Sequence, residues 1–296
     1  MDAAVHKRRR RWGDRYDGRR LRSLDPFYQI TPYIMRTRAD SQNFFEDHID
    51  ISRVEKWLRQ QRDAGRPDIG FLHVLMAAVV RGISQRPQLN RFIAGQRIYA
   101  RNEITVSLAL KKKVQESSSE TTIKLAFLPT DTVFDITARL NAAIVENKAA
   151  EMQNETDNTA RLFMLAPGFL VRALVFLMRS LDFHGKLPRA IHRASPFHTS
   201  VFITDLGSLG IKPVYHHLYD LGTTSLFIAF GAKERRREMD MEGLHTERRS
   251  IGVKVTTDER ICDGAYFASA FKLIIALLKH PEELEKPPAS VIEDVD

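Results

Sequence analysis

Hydrophobic and polar positions change period repeatedly along this chain. Phe44 to Ile51 (FFEDHIDI) predicts a strand, and Ser52 with Glu55 three residues on has capping-box spacing for a helix that runs to Asp63 and stops at Gly65 and Pro67. Gly70 to Gln85 is apolar almost throughout and predicts a buried helix ending before Pro87. Arg97 to Tyr99 and Ile104 to Leu110 predict two strands about a polar turn at Arg101-Asn102, Lys111 to Glu120 a polar loop, and Thr122 to Leu128 a further strand. Val133 to Met152 repeats with helical period through Phe134, Ile136, Leu140, Ile144 and Val145. Pro167 to Leu181 predicts a helix with Pro167 in its first turn, read as a core helix for its apolar content. Ser200 to Thr204, Thr224 to Ala229 and Ile251 to Thr257 predict strands, and Asp263 to Lys279 a closing helix stopped by Pro281. Pro26 to Met35 alternates loosely and is read as a first strand. Strands and helices interleave, which predicts an α/β domain with a mixed sheet packed with helices.

Charge divides the chain. Residues 7–22 hold nine basic and two acidic side chains, so they carry +7 of the net +8 and the rest is nearly neutral. The expectation is a basic, flexible N-terminal arm over residues 1–24, one domain over 25–285 and a C-terminal tail over 286–296. Such an arm can hold polyanions without reading sequence, but a solvated tail or an inter-subunit strap is the favoured reading, so nucleic acid is not the expected partner. The single cysteine, Cys262, excludes a disulfide framework and points to a reducing, cytoplasmic location. No apolar stretch following the basic start reads as a secretion signal. Phe169 to Leu181 is too short to span a bilayer and carries Arg172 and Arg179, so no membrane anchor is expected. No His, Asp and Glu cluster has metal-ligand spacing, and no glycine-rich phosphate loop stands out.

The most informative stretch is Asp258-Glu259-Arg260-Ile261-Cys262-Asp263-Gly264, set where the last predicted strand gives way to the last helix. It resembles the Asp-His-Arg-x-x-Asp-Gly signature of the dihydrolipoyl acyltransferase and chloramphenicol acetyltransferase superfamily, with Glu259 at the His position. Four further stretches match in order: Phe44 to Arg53, the Phe71 to Ile83 helix with Arg86-Pro87-Gln88-Leu89-Asn90, Ser200 to Gly207, and Pro213 to Lys233. The resemblance covers roughly residues 26 to 285 and lacks the lipoyl and subunit-binding modules of the full acyltransferases.

This resemblance implies a chloramphenicol acetyltransferase-like two-layer fold and acyl transfer between coenzyme A, as substrate, and a thiol or hydroxyl acceptor, either a small molecule or a lipoyl-type group. It implies a homotrimer, or an assembly of trimers, with sites between subunits and no metal. The matching positions are Glu259 as base, Thr204 as the hydroxyl donor to the oxyanion, and Asp263 as a structural acid commonly paired with an Arg. A free Glu titrates near 4.3 against about 6.5 for His, so as a base toward a thiol it is handicapped on the order of a hundredfold. Crowding by Asp258 and Asp263 is expected to recover part of that. Plainer roles exist for each residue: Asp263-Gly264 as a helix cap, Thr204 and Ser200 as ordinary hydroxyls, Cys262 as an inert buried thiol, Arg260 as half of a salt bridge. His216-His217 through Asp220-Leu221-Gly222 echoes a His-His-x-x-x-Asp-Gly motif one residue short and is read as a decoy. A silent oligomeric scaffold and polyanion binding through the arm stay open beside the enzyme.

Overall fold

A computed structural model describes residues 10–111, 120–151, 167–239 and 245–296. Most of the expected Lys111 to Glu120 loop, Met152 and the basic residues 7–9 lie outside them. Among the described residues, nine strands form two sheets. A small antiparallel sheet joins β1 (Gly18–Arg20), β4 (Arg97–Arg101) and β3 (Arg91–Ala94) in the order β1-β4-β3. The large sheet has six strands: β2 (Gln42–Asp50), β5 (Ile104–Lys111), β6 (Glu120–Phe127), β7 (Val201–Asp205), β8 (Leu226–Met239) and β9 (His245–Asp258). Its order is β2-β9-β8-β7-β5-β6, with β7 parallel to both β5 and β8 and every other pair antiparallel.

The described α-helices are α1 (Pro26–Ile34), α2 (Ser52–Asp63), α3 (Phe71–Gln85), α4 (Val133–Glu151), α5 (Gly168–Phe183), α6 (Arg189–Ala194) and α7 (Gly264–Lys279). Helix α3 is central, buried from His73 to Ser84 and packed between α7 and α4. Its close fit to α7 needs Gly82, where a Cβ would meet Ile274 Cγ1 at 2.6 Å. Val201 and Ile203 of β7 and Ile228 and Phe230 of β8 join this helix-covered core. The alternate residues Phe202 and Phe227 stack at 4.9 Å on the other face, beside Leu218. This is the expected two-layer, mixed-sheet α/β architecture.

Several local expectations are corrected. Pro26 to Met35 is helix rather than strand: Asp25 accepts a hydrogen bond from Phe27 N–H as N-cap, and Pro26 supplies a preset first-turn φ. Ser52 makes no capping bond; its N–H donates to Asp50, and the expected partner Glu55 instead receives Lys233 and Arg249 at 2.9 Å each. The strands on either side of Arg101-Asn102 part into different sheets rather than forming a hairpin. The true hairpin is β3–β4, whose turn Gly95-Gln96 has φ of 54° and 58°, the left-handed pair of a two-residue turn. β8 and β9 also run well past their predicted ends, pairing Lys233 to Met239 with His245 to Ile251, a charged run that masks its strand character.

The basic arm is also corrected. Over residues 10–24 it is built into the domain: β1 pairs with β4, and Leu21 enters the core. Arg15 is buried between Asp17 and Asp182, Arg22 pairs with Asp14, and Arg19 and Arg11 meet Asp296. Over residues 10–24 these charges are paired within the domain rather than carried on a free arm. Residues 286–296 are not a loose tail either: Arg91 holds Asp294 through two bonds of 2.6 and 2.7 Å, with both side chains buried.

Helix α5 departs most from expectation. Instead of lying in the core, it leaves Phe169, Leu170, Leu174, Val175, Phe176 and Leu177 exposed and buries only Asp182 near its end. Its apolar composition reflects an uncovered surface of this single chain, since composition reports the need for cover and not which body provides it.

Candidate active site

β9 ends at Asp258, and the chain turns sharply before α7 begins. The turn is held by charge. Asp258 is fully buried and accepts from Arg260 Nε at 2.8 Å and Nη2 at 2.6 Å, from the Arg260 backbone N–H, and from Ser41 Oγ. Arg260 Nη1 reaches on to the Met35 carbonyl at 2.9 Å, just past α1. Every strong site on this carboxylate is filled, so the pair locks the turn rather than offering a reactive group. Arg260 thus takes the structural salt-bridge role.

Glu259 projects from this frame half-buried, its backbone N–H bonded to the Ser41 carbonyl at 2.9 Å. No group among the described residues hydrogen-bonds its carboxylate. The two acids expected to crowd it are engaged elsewhere, Asp258 by Arg260 and Asp263 by α7 and Tyr28. Asp263 is the N-cap of α7: Oδ1 accepts from Tyr266 N–H at 2.7 Å and Oδ2 from the Tyr28 hydroxyl at 2.9 Å. These two bonds, the backbone one first, hold the Asp263 carboxyl below the usual range. A tyrosine therefore stands where the resemblance implied an arginine. Cys262 is buried and its thiol pushed well up by burial, which suits an inert side chain and no nucleophile.

Sequence reasoning missed a second arginine at this turn. Arg91, at the start of β3, donates Nη1 to the Ile261 carbonyl at 3.0 Å while its other nitrogens hold Asp294. The turn is thus fastened from both sides, by Arg260 within and Arg91 from below. The Arg-Phe-Ile-Ala strand β3 itself went unpredicted, and nothing in its spacing points to residue 261.

Thr204 sits half-buried on β7, in register with Ala109 and Ala229. Alternation puts it on the face of Phe202, away from the core helices. Ala229 in turn pairs with Lys254, so Thr204 is level with a residue five positions short of Glu259. One chain does not bring the two together. Beyond Thr204 the strand turns at Asp205-Leu206-Gly207, where a Cβ on Gly207 would meet the Gly231 carbonyl oxygen at 2.5 Å. Ser200 serves the sheet, its Oγ accepting from Thr105 N–H. His216 stacks flat on Phe227 with centroids 4.0 Å apart, on the Thr204 face, and Asp220 accepts from Arg38 N–H; the echo motif builds structure.

A cleft of about 770 Å³ opens beside the turn. Arg260 forms part of its floor, the Arg36 to Arg38 segment and the β3–β4 turn one wall, and α5 the other. No group of His, Cys, Asp and Glu able to hold a metal occurs among the described residues, and none of the described helices is long and apolar enough to cross a membrane.

No protein-family model and no curated protein matches the sequence. Solved structures do resemble the fold. The cubic core of the pyruvate dehydrogenase multienzyme complex aligns with a TM-score of 0.55 at 12% identity, over 96% of this chain and 97% of that one. A probable dihydrolipoamide acetyltransferase from Listeria monocytogenes 4b F2365 aligns at 0.53 and 13%, over 93% and 99%. A chloramphenicol acetyltransferase aligns at 0.50 and 12%, over 87% and 99%. The fold implied by the signature stretch is the fold found, across nearly the whole chain.

Proposed function

We propose that this chain is an acyltransferase that moves an acyl group between coenzyme A and a thiol or hydroxyl acceptor, at sites completed between copies of itself. The observation that carries this reading is the turn from Asp258 to Gly264, fastened by Arg260, Arg91 and the Asp263 cap, with Glu259 as its one uncommitted acid. A framework this heavily braced fixes the backbone from which Glu259 projects, so the carboxylate is presented from one place. In the reaction, Glu259 takes the proton from the acceptor as it attacks the thioester carbonyl, Thr204 of a neighbouring copy donates its hydroxyl to the oxyanion, and collapse of the tetrahedral intermediate breaks the C–S bond and releases coenzyme A as its thiol, the proton returning from Glu259. Two features support a shared site: Thr204 and Glu259 lie apart within one chain, and the face of α5 turned away from the cleft, with Leu170, Leu174 and Leu177, is an exposed apolar surface suited to cover by a second copy. The solved cubic core is an assembly of this same fold.

One observation favours a silent, scaffolding homologue instead. No described group orients the Glu259 carboxylate, whereas working bases are usually held by a partner. A turnover screen with acetyl-coenzyme A and simple thiol and hydroxyl acceptors decides between them. Acyl transfer that disappears in Glu259→Gln supports the enzyme; no transfer to any acceptor, from a protein that still assembles, supports the scaffold.

A further inference from the structure

The cleft beside the turn has an unbalanced charge. Of its inner groups, Arg260 is spent on Asp258 and the Met35 carbonyl, and buried Arg38 on the carbonyls of Thr224, Ile93 and Asp220. Its two acids are spent as well, Asp182 on Arg15 and Asp220 on the Arg38 N–H. Three exposed guanidiniums remain on the lining, Arg36, Arg172 and Arg179, with no ion-pair partner among the described residues.

Their setting is amphipathic. On α5, Arg172, Val175, Phe176 and Arg179 fall at i, i+3, i+4 and i+7, one stripe facing the cleft. The two arginines are about 10 Å apart along the axis, with the apolar pair between them. Phe176 is 75% exposed, a cost in water that a ligand's apolar chain would remove. The cleft's volume falls within the ~300–1,000 Å³ of small-molecule sites.

We propose that this cleft binds an amphipathic anion, an apolar chain laid on Val175 and Phe176 with a carboxylate or phosphate at Arg36, Arg172 and Arg179. This deepens the acyl-transfer reading, on which it rests for the nature of the cargo: an acidic acyl group or acceptor, or the phosphates of its carrier. Three probes separate these sources in calorimetric titrations of the whole protein: octanoate, octanol and coenzyme A. The Arg172→Ala, Arg179→Ala double variant is titrated alongside; both side chains are exposed, so its melting temperature stays at the wild-type value. Octanoate binding about tenfold or more tighter than octanol, and weakened about tenfold in the variant, assigns the anion to the cargo. Coenzyme A binding that weakens likewise, without octanoate binding, assigns it to the carrier. Octanol binding as tightly as octanoate, affinities unchanged in the variant, or no binding of either anion overturns the proposal. Because no turnover is measured, a protein that binds octanoate yet transfers nothing fails as an acyltransferase and still keeps this site.

Discussion

Thr204 on β7 and Glu259 just past the end of β9 are separated by β8, and the register sets Thr204 level with Lys254, five residues short of Glu259. That separation is about 16 Å along the strands and about 10 Å across them. No side-chain rotation closes it, so a reaction that uses both residues draws them from different copies.

Mixing two inactive variants tests this directly. Thr204→Val and Glu259→Gln proteins, each inactive alone, are expected to recover on the order of a quarter of wild-type turnover after joint refolding, because a share of interfaces then unites one intact residue from each. A mixture as inactive as its parents removes the shared site.

The identity of the base is the next expectation. Glu259→His is expected to raise acyl transfer by on the order of a hundredfold at neutral pH, following the better match of imidazole to a thiol proton. Steady-state rates with acetyl-coenzyme A read it, and a decrease in Glu259→His places the base elsewhere.

The Asp258–Arg260 pair is buried on both sides. Asp258→Asn strands the Arg260 charge and is expected to cost about 3–5 kcal/mol in denaturant unfolding, whereas the Asp258→Leu, Arg260→Met double variant costs less than either single change. Additive losses in that cycle would show that the two act independently.

Asp263 is expected to matter for stability through its cap. Asp263→Ala loses the bond from Tyr266 N–H and about 1 kcal/mol, Asp263→Asn retains most of it, and Tyr28→Phe costs about 0.5–1.5 kcal/mol. Thermal melts rank the three variants; equal melting temperatures for Ala and Asn deny the cap.

Asp182 ties α5 to the N-terminal segment. Burial works against its charge, but His198 Nε2 at 3.2 Å and the Arg15 guanidinium at 2.9 Å hold it down to about 2. A depressed carboxyl stabilises the fold above its unfolded value, so about 2 kcal/mol is fully present above about pH 4 and is lost as pH falls toward 2. Urea unfolding across that range is expected to show the loss in wild type and a flatter profile in Asp182→Asn. Parallel profiles would assign the acid sensitivity to other groups.

Apolar runs and punctuation were enough to locate β2, α3, β7 and α7, because β2 and β7 end at Asp50 and Asp205 and α3 and α7 stop just ahead of Pro87 and Pro281. The signature turn was legible for the same reason, its polar residues interrupting two apolar runs. What stayed hidden depends on distant partners. Arg15 and Arg19 read as free charge because Asp182 and Asp296 lie far along the chain. α5 read as core because an apolar helix carries no record of who covers it. Arg91 gave no local sign of gripping Ile261, a contact 170 positions away. The α1 error was avoidable: Asp25-Pro26 is a helix start in plain view.

Arg91 carries one practical consequence. Its guanidinium bridges the Ile261 carbonyl and the Asp294 carboxylate, so the last residues of the sequence are mechanically continuous with the loop that presents Glu259. Trimming the chain ahead of Asp294 to aid crystallisation or purification would strand a buried cation against that loop. An assay on such a shortened protein would then record the damage as weak chemistry.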